Sequence, residues 1–136
     1  MPRSKKSGGY SGRQTGIRGL VIKPRLQTIE NIYAGTDYEV VLTTAELTTI
    51  CPRTGLPDFC DLTIRYVPGR LLVEEKSLKL YLTGYRSVGI FQENATNKIF
   101  EDFLSAVRPG RLRISAVWNR RGGIGVTVER EYPKNR

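Results

Sequence analysis

The chain reads as an α+β domain in which an antiparallel sheet carries two helices on one face. Two segments of alternating β-branched and aromatic residues, near 38–44 and 62–67, precede two segments with helical apolar spacing, 74–86 and 93–107. Two further alternating segments follow, joined through Arg120-Arg121-Gly122-Gly123. The element order is therefore ββααββ. At 136 residues the prior is one domain.

Residues 1–20 are rich in Gly, Ser, Lys and Arg and lack apolar periodicity, so a flexible basic arm is expected there, with the domain over 21–136. Tyr38-Glu39-Val40-Val41-Leu42-Thr43-Thr44 predicts a strand that can run on to Ile50. Residues 51–59 read as a loop. Leu62, Ile64 and Tyr66 then alternate with Thr63, Arg65 and Val67 up to Pro68-Gly69, a second strand. In 74–86, Leu78, Leu82 and Tyr85 fall at i, i+4 and i+7 and define one buried face, while Glu75 and Lys79 are placed to pair at i, i+4. Gly89 breaks this helix. Ile99, Phe103 and Val107 form the stripe of the next, which Pro109-Gly110 stops. Leu112, Ile114 and Ala116, then Ile124, Val126 and Val128, alternate as the last two strands. Such a sheet has open edges, and pairing them between subunits would close a ring-shaped oligomeric barrel.

Composition excludes several chemistries. There is no histidine, so neither a Ser-His-Asp nor a Cys-His mechanism is available, and no metal can be held through imidazole. The two cysteines belong to no CxxC, and a zinc site would need carboxylates or a second chain. No apolar run approaches the about 20 residues of a membrane span, and Met1-Pro2-Arg3-Ser4-Lys5-Lys6-Ser7 has no apolar segment behind it. A cytoplasmic protein is expected. The net charge of +9 points to nucleic acid or phosphorylated ligands, or simply to a basic surface. Arg108, Arg111, Arg113, Arg120 and Arg121 lie inside the expected fold and are the better candidates for a phosphate site.

The chemistry points to one segment, Cys51-Pro52-Arg53-Thr54-Gly55-Leu56-Pro57-Asp58. A lone cysteine is most often a small buried hydrophobe. Here polar, turn-forming neighbours favour an accessible thiol, whereas Cys60 enters an alternating strand and reads as structural. An unassisted thiol is about 3% ionised at pH 7. Arg53 or a helix end would raise that fraction. Asp58 is either an ordinary turn residue or a group able to donate and recover a proton beside the thiol.

Four segments in order carry a resemblance: the Cys51–Asp58 segment, Val73-Glu74-Glu75-Lys76-Ser77-Leu78-Lys79-Leu80-Tyr81, Phe91-Gln92-Glu93, and Arg121-Gly122-Gly123. Together they resemble the short, unimodular form of the NADPH-dependent 7-cyano-7-deazaguanine reductases (the QueF family), the nitrile reductases of queuosine biosynthesis. The resemblance covers roughly residues 35–130. It implies a tunnelling fold, rings with active sites between subunits, and reduction of a nitrile to a primary amine with two NADPH. By position, Cys51 resembles the nucleophile that forms a covalent thioimide, and Asp58 the proton donor. Glu93 is similar to the acid that anchors the guanine-like ring, with Gln92 beside it. Val73, Glu74 and Glu75 match the segment that closes over the substrate. Lys76 and Lys79 lie in the signature linked to NADPH, and Arg121 with Gly122 and Gly123 resembles a phosphate-binding turn.

Two positions depart from the family pattern. Gln92 stands where family members carry His, and it can hydrogen bond but not shuttle a proton. Glu75 stands where Ser or Leu is usual and adds negative charge. An amidinotransferase-like relative acting on the same nitrile within tRNA is the alternative. It shares the Cys and Asp but lacks the Lys76–Tyr81 signature. A basic RNA-binding module is a third reading, although the usual RNA-binding patterns are absent.

Overall fold

The computed structural model of the protein describes residues 14–134. Residues 1–13 of the expected arm lie outside the described residues. Gln14 onward is seated on the helices: the Gln14 side chain accepts hydrogen bonds from Phe91 N and Asn94 Nδ2, and Arg18 forms an ion pair with Glu101 at 2.7 Å.

Six strands and two α-helices follow in the order β1 (Thr28–Glu30), β2 (Val40–Ile50), β3 (Pro57–Val67), β4 (Leu71–Val73), α1 (Glu75–Thr83), α2 (Gln92–Val107), β5 (Arg111–Arg121) and β6 (Ile124–Tyr132). β2-β3-β5-β6 form a four-stranded antiparallel sheet, and β1 pairs with β4 in a separate ribbon. The expected ββααββ order is therefore the main sheet with its helices. The ribbon was not expected: each of its strands has three residues, too few to carry a period, and its partners are far apart in sequence.

The alternation aims one side of the sheet at the helices. Cys60, Leu62, Ile64 and Tyr66 of β3 and Leu112, Ile114, Ala116 and Trp118 of β5 are all buried. They meet Leu78 and Leu82 of α1, the following Tyr85, and Ile99, Phe103 and Val107 of α2 in one core cluster. The two expected helix stripes are thus both inside. Tyr66 meets Phe103 edge-on at 5.1 Å between ring centroids. The other sheet face stays open, with Val41, Phe59 and Val117 exposed.

Three sequence expectations need correction. α1 ends at Thr83 rather than 86, because the chain leaves the helix through successive tight turns from Leu82 to Val88. Gly84 in that turn lies against another segment, where a Cβ would sit 2.7 Å from the Lys23 carbonyl oxygen. The Glu75–Lys79 pair is absent from the ion pairs of the described residues. Both side chains are exposed, where such a pair gains little. The arginine cluster is divided. Arg113 pairs with Glu129 and Glu131 near one end of β5, whereas Arg121 sits at the other. About 26 Å of strand separates them at roughly 3.3 Å per residue. No helix among the described residues is long and apolar enough to cross a membrane.

Candidate active site

The site is built at the β2–β3 turn. Pairing between these strands continues to Ile50↔Pro57, so β3 begins at Pro57 and not, as the sequence suggested, near residue 62. Proline is tolerated there because the first position of a strand needs no ladder donor. Asp58 is consequently a strand residue, held by the ladder rather than by a loop. The remaining turn is closed by hydrogen bonds from Cys51 N to Leu56 O at 2.8 Å and from Gly55 N to Cys51 O at 2.9 Å. Gly55 has a φ of 73°, a left-handed conformation that glycine adopts without strain.

Two β-bulges decide which side chains face this corner. In β2 the register slips by one residue between Thr44 and Leu47. Before the bulge, Leu42 and Thr44 oppose the buried Ile64 and Leu62. After it, Leu47 and Thr49 oppose the buried Cys60 and Asp58. The extra residue switches the inward set from even to odd positions. A second slip in β5, between Trp118 and Arg121, does the same for Arg121. The Arg121 guanidinium then reaches across to donate from Nε to Asp58 Oδ1 at 3.0 Å and from an Nη to the Pro57 carbonyl at 2.7 Å.

The thiol is half-buried. Partial burial is the largest single influence and pushes the Cys51 thiol up, as does the negative charge of Asp58. Hydrogen bonds from the Thr54 hydroxyl and from the N–H groups of Thr54 and Arg53 outweigh both, so Cys51 titrates below its ordinary value. The Thr54 oxygen also accepts from Leu56 N at 3.1 Å, which leaves its own proton for the sulfur. Burial pushes Cys60 up to about 12, as its strand position led us to expect of an inert thiol. Alkylation of Cys51 by iodoacetamide is therefore expected to rise with a midpoint below that of free cysteine. Thr54→Val should move that midpoint upward; an unchanged pH profile would show that the hydroxyl plays no part.

The connection between the helices brings further residues to the corner. Ile50 N donates to Val88 O and Ile90 N donates to Ile50 O, both at 3.0 Å, so residues 88–90 run beside Ile50. The N-terminus of α2 follows at once. Gln92 is half-buried there, and Glu93 is exposed in the first turn, the positive end of the helix dipole. Trp118 donates to the Thr96 hydroxyl at 3.2 Å, and Thr96 donates to the Gln92 carbonyl at 2.9 Å, which ties this helix end to β5. Gly122 and Gly123 form the β5–β6 turn, with φ of 59° and 81°.

Other expected site residues lie elsewhere in the chain. Val73 is buried, and its N–H donates to the Tyr66 hydroxyl at 3.1 Å. Tyr66 and Asp58 are both on β3, eight residues apart, or about 26 Å. The Glu74 carboxylate caps α1, accepting from Lys76 N and Ser77 N. Glu75 and Lys79 line a groove of about 320 Å³ against Leu42, Thr43, Thr44 and Glu46, which includes neither Cys51 nor Asp58. One chain thus gathers Cys51, Asp58, Arg121, Gln92 and Glu93 at one end of the sheet, holds Val73 near the other at Tyr66, and sets Glu75 and Lys79 along its middle. Among the described residues no group of His, Cys, Asp and Glu could hold a metal ion.

Sequence reasoning missed Thr49, Thr54 and the Arg121–Asp58 pair. The Thr54-Gly55 turn was a visible signal for the second of these. Nothing in the residue pattern announces the bulges that place the other two.

A four-stranded antiparallel sheet backed by two helices defines the class, an α+β protein, with a hydrogen-bonded thiol and a strand-held acid at one end of the sheet. The comparisons agree. The family model for QueF-like protein matches residues 57–136. The chain is 47% identical over 112 residues to the NADPH-dependent 7-cyano-7-deazaguanine reductase of Chloroherpeton thalassium, covering 82% of this chain and 97% of the relative. It is 49% identical over 120 residues to the protein of the same name from Syntrophus aciditrophicus, covering 87% and 86%. The protein of that name from Chlorobaculum tepidum is 42% identical over 114 residues, covering 84% and 97%. The crystal structure of the archaeosine synthase QueF-Like in the apo form superposes with a TM-score of 0.64 at 22% identity over 68% of this chain and 91% of that one, a likeness of fold. The chain belongs to the QueF-like family.

Proposed function

We propose that the protein is an NADPH-dependent 7-cyano-7-deazaguanine reductase, converting the nitrile to the 7-aminomethyl compound through a thioimide on Cys51, within queuosine biosynthesis. The carrying observation is the Cys51 thiol, lowered by Thr54 and the turn amides and set beside a strand-held Asp58. The names of the relatives support the same reaction.

A nitrile is a poor hydride acceptor. Asp58 takes the Cys51 thiol proton, Sγ forms a bond to the nitrile carbon, one π pair moves to nitrogen, and Asp58 returns the proton to that nitrogen. The product is a C=N group bonded to sulfur, which splits one hard step into easier ones. The fit of the cofactor rests on Lys76 and Lys79, which are exposed on the first turns of α1 and form no ion pair among the described residues. Such ammonium groups suit the phosphates of NADPH, with Gly122 and Gly123 available as a turn at the other end. When bound, NADPH supplies the two hydrides. Between them the sulfur leaves as thiol or thiolate. Glu93 accepts the N–H edge of the ring, and Gln92 contributes hydrogen bonds but no proton.

The about 26 Å between Asp58 and the Tyr66–Val73 contact supports a site that one chain does not complete. A second copy supplies the Val73–Lys79 segment, in keeping with a ring of tunnelling-fold domains. Elution as a monomer in size-exclusion chromatography would remove that part.

The test is absorbance at 340 nm with the free nitrile base. Two NADPH should be consumed per nitrile. No absorbance loss, with a product formed only on tRNA, would replace reduction by amidine formation.

A further inference from the structure

Thr49 has a hydroxyl for which the folded protein shows no use. The residue is fully buried, at 0% exposure. Its Oγ1 is the only buried side-chain nitrogen or oxygen without a hydrogen-bond partner among the described residues. Buried polar atoms are nearly always partnered, and each exception calls for an explanation, a catalytic role among them. Valine would fill the same space without that cost, yet the sequence has threonine.

Its position says what the work is. Thr49 is directly opposite Asp58 in the β2–β3 register, and the bulge between Thr44 and Leu47 turns Thr49 to the inner face, where the alternation of β3 already places Asp58. Opposed residues of antiparallel strands have Cβ atoms about 4.5–5.5 Å apart, within hydroxyl reach of a carboxyl group. Among the hydrogen bonds of the described residues, Arg121 engages Asp58 Oδ1 and none engages Oδ2. The acid is therefore held at one oxygen, and an unpaired hydroxyl stands across the ladder from it.

We propose that Thr49 is a positioning residue for Asp58, its hydroxyl bonding to the carboxyl group in the substrate-bound site and so fixing which oxygen delivers the proton. The inference rests on the nitrile-reduction reading. A hydroxyl suits the role because it both accepts and donates. Asp58, a carboxylate paired with Arg121, first takes the Cys51 thiol proton, and the Thr49 hydroxyl donates to the other oxygen of the acid so formed. The thiolate pair then forms the S–C bond, the nitrile π pair takes the Asp58 proton to give N–H, and Asp58 is left as a carboxylate. Thr49 O–H then donates to that carboxylate, beside the Arg121 guanidinium. Valine can do neither.

The experiment measures adduct formation by mass spectrometry after mixing with the nitrile alone, together with nitrile affinity and thermal midpoint. Thr49→Val is expected to slow adduct formation by about a hundredfold, the scale of a misplaced reacting group, with unchanged affinity and an equal or higher midpoint. Thr49→Ser should restore most of the rate. If the valine variant does not fold, Thr49→Ser and Thr49→Ala decide: both lack the methyl group and only serine should retain the rate. A valine variant at the wild-type rate overturns the proposal. So does a loss that appears as weaker nitrile binding, since the hydroxyl would then touch substrate. Wild-type protein that forms no adduct takes down the functional reading itself, whereas wild-type turnover matched by the valine variant removes this inference alone.

Discussion

Replacing Cys51 by alanine is expected to bring nitrile-dependent NADPH oxidation to background, a loss of at least about ten-thousandfold. Alanine removes the sulfur that, in the proposed reaction, bonds the nitrile carbon, and no histidine in the chain offers another route. Cys60 does not substitute. It is 2% exposed and its thiol is pushed up to about 12 by burial, so its thiolate is scarce at neutral pH. Cys60→Ser should keep both adduct and turnover while lowering the thermal midpoint, because it places a more polar atom in the core. Steady-state rates for the two variants check the assignment. Residual turnover in the alanine protein, or its loss in the serine protein, would reverse the two roles.

Asp58→Asn is expected to slow addition by about a hundred- to ten-thousandfold, the usual contribution of a general acid. The change is nearly isosteric. The asparagine oxygen can still accept from Arg121 Nε, which lies 3.0 Å from Oδ1, so the corner keeps its shape. What disappears is a proton that can be given and recovered. Substrate affinity should therefore change little, and the loss should fall on the rate of adduct formation. Full activity in this variant would mean that another group delivers the proton. Gln92 cannot be that group, since an amide does not titrate in this range.

The fold was largely legible because alternation and helical spacing are strong signals over long elements. Leu62, Ile64 and Tyr66, Leu112, Ile114 and Ala116, and the Ile99–Phe103–Val107 stripe all face the core. The Gly122-Gly123 turn was legible for the same local reason: two consecutive positive φ angles favour two glycines. The β1–β4 ribbon was not, since a three-residue strand has no period to read.

In the candidate site the Cys51–Asp58 spacing is visible in the sequence, but the residue pattern places Asp58 in a loop. Its strand position depends on Ile50 pairing with Pro57, a contact that composition does not announce. Arg121 was read as a phosphate ligand, and here its guanidinium holds Asp58 and the Pro57 carbonyl. Strict alternation from Leu42 would place Thr49 on the outer face. One extra residue in β2 reverses that parity. The resemblance implies sites between subunits, and the distance along β3 from Asp58 to Tyr66, whose hydroxyl meets Val73, is read only once the strands are laid out.

In the proposed reaction the Cys51 sulfur captures the nitrile carbon before any hydride arrives. Weighing the intact protein after incubation with 7-cyano-7-deazaguanine and no cofactor reads this step alone. A gain equal to one nitrile molecule per chain is expected, located on the peptide that carries Cys51 and lost when NADPH is added. An unchanged mass in protein that nonetheless consumes NADPH with the nitrile, or an adduct on Cys60, would contradict it.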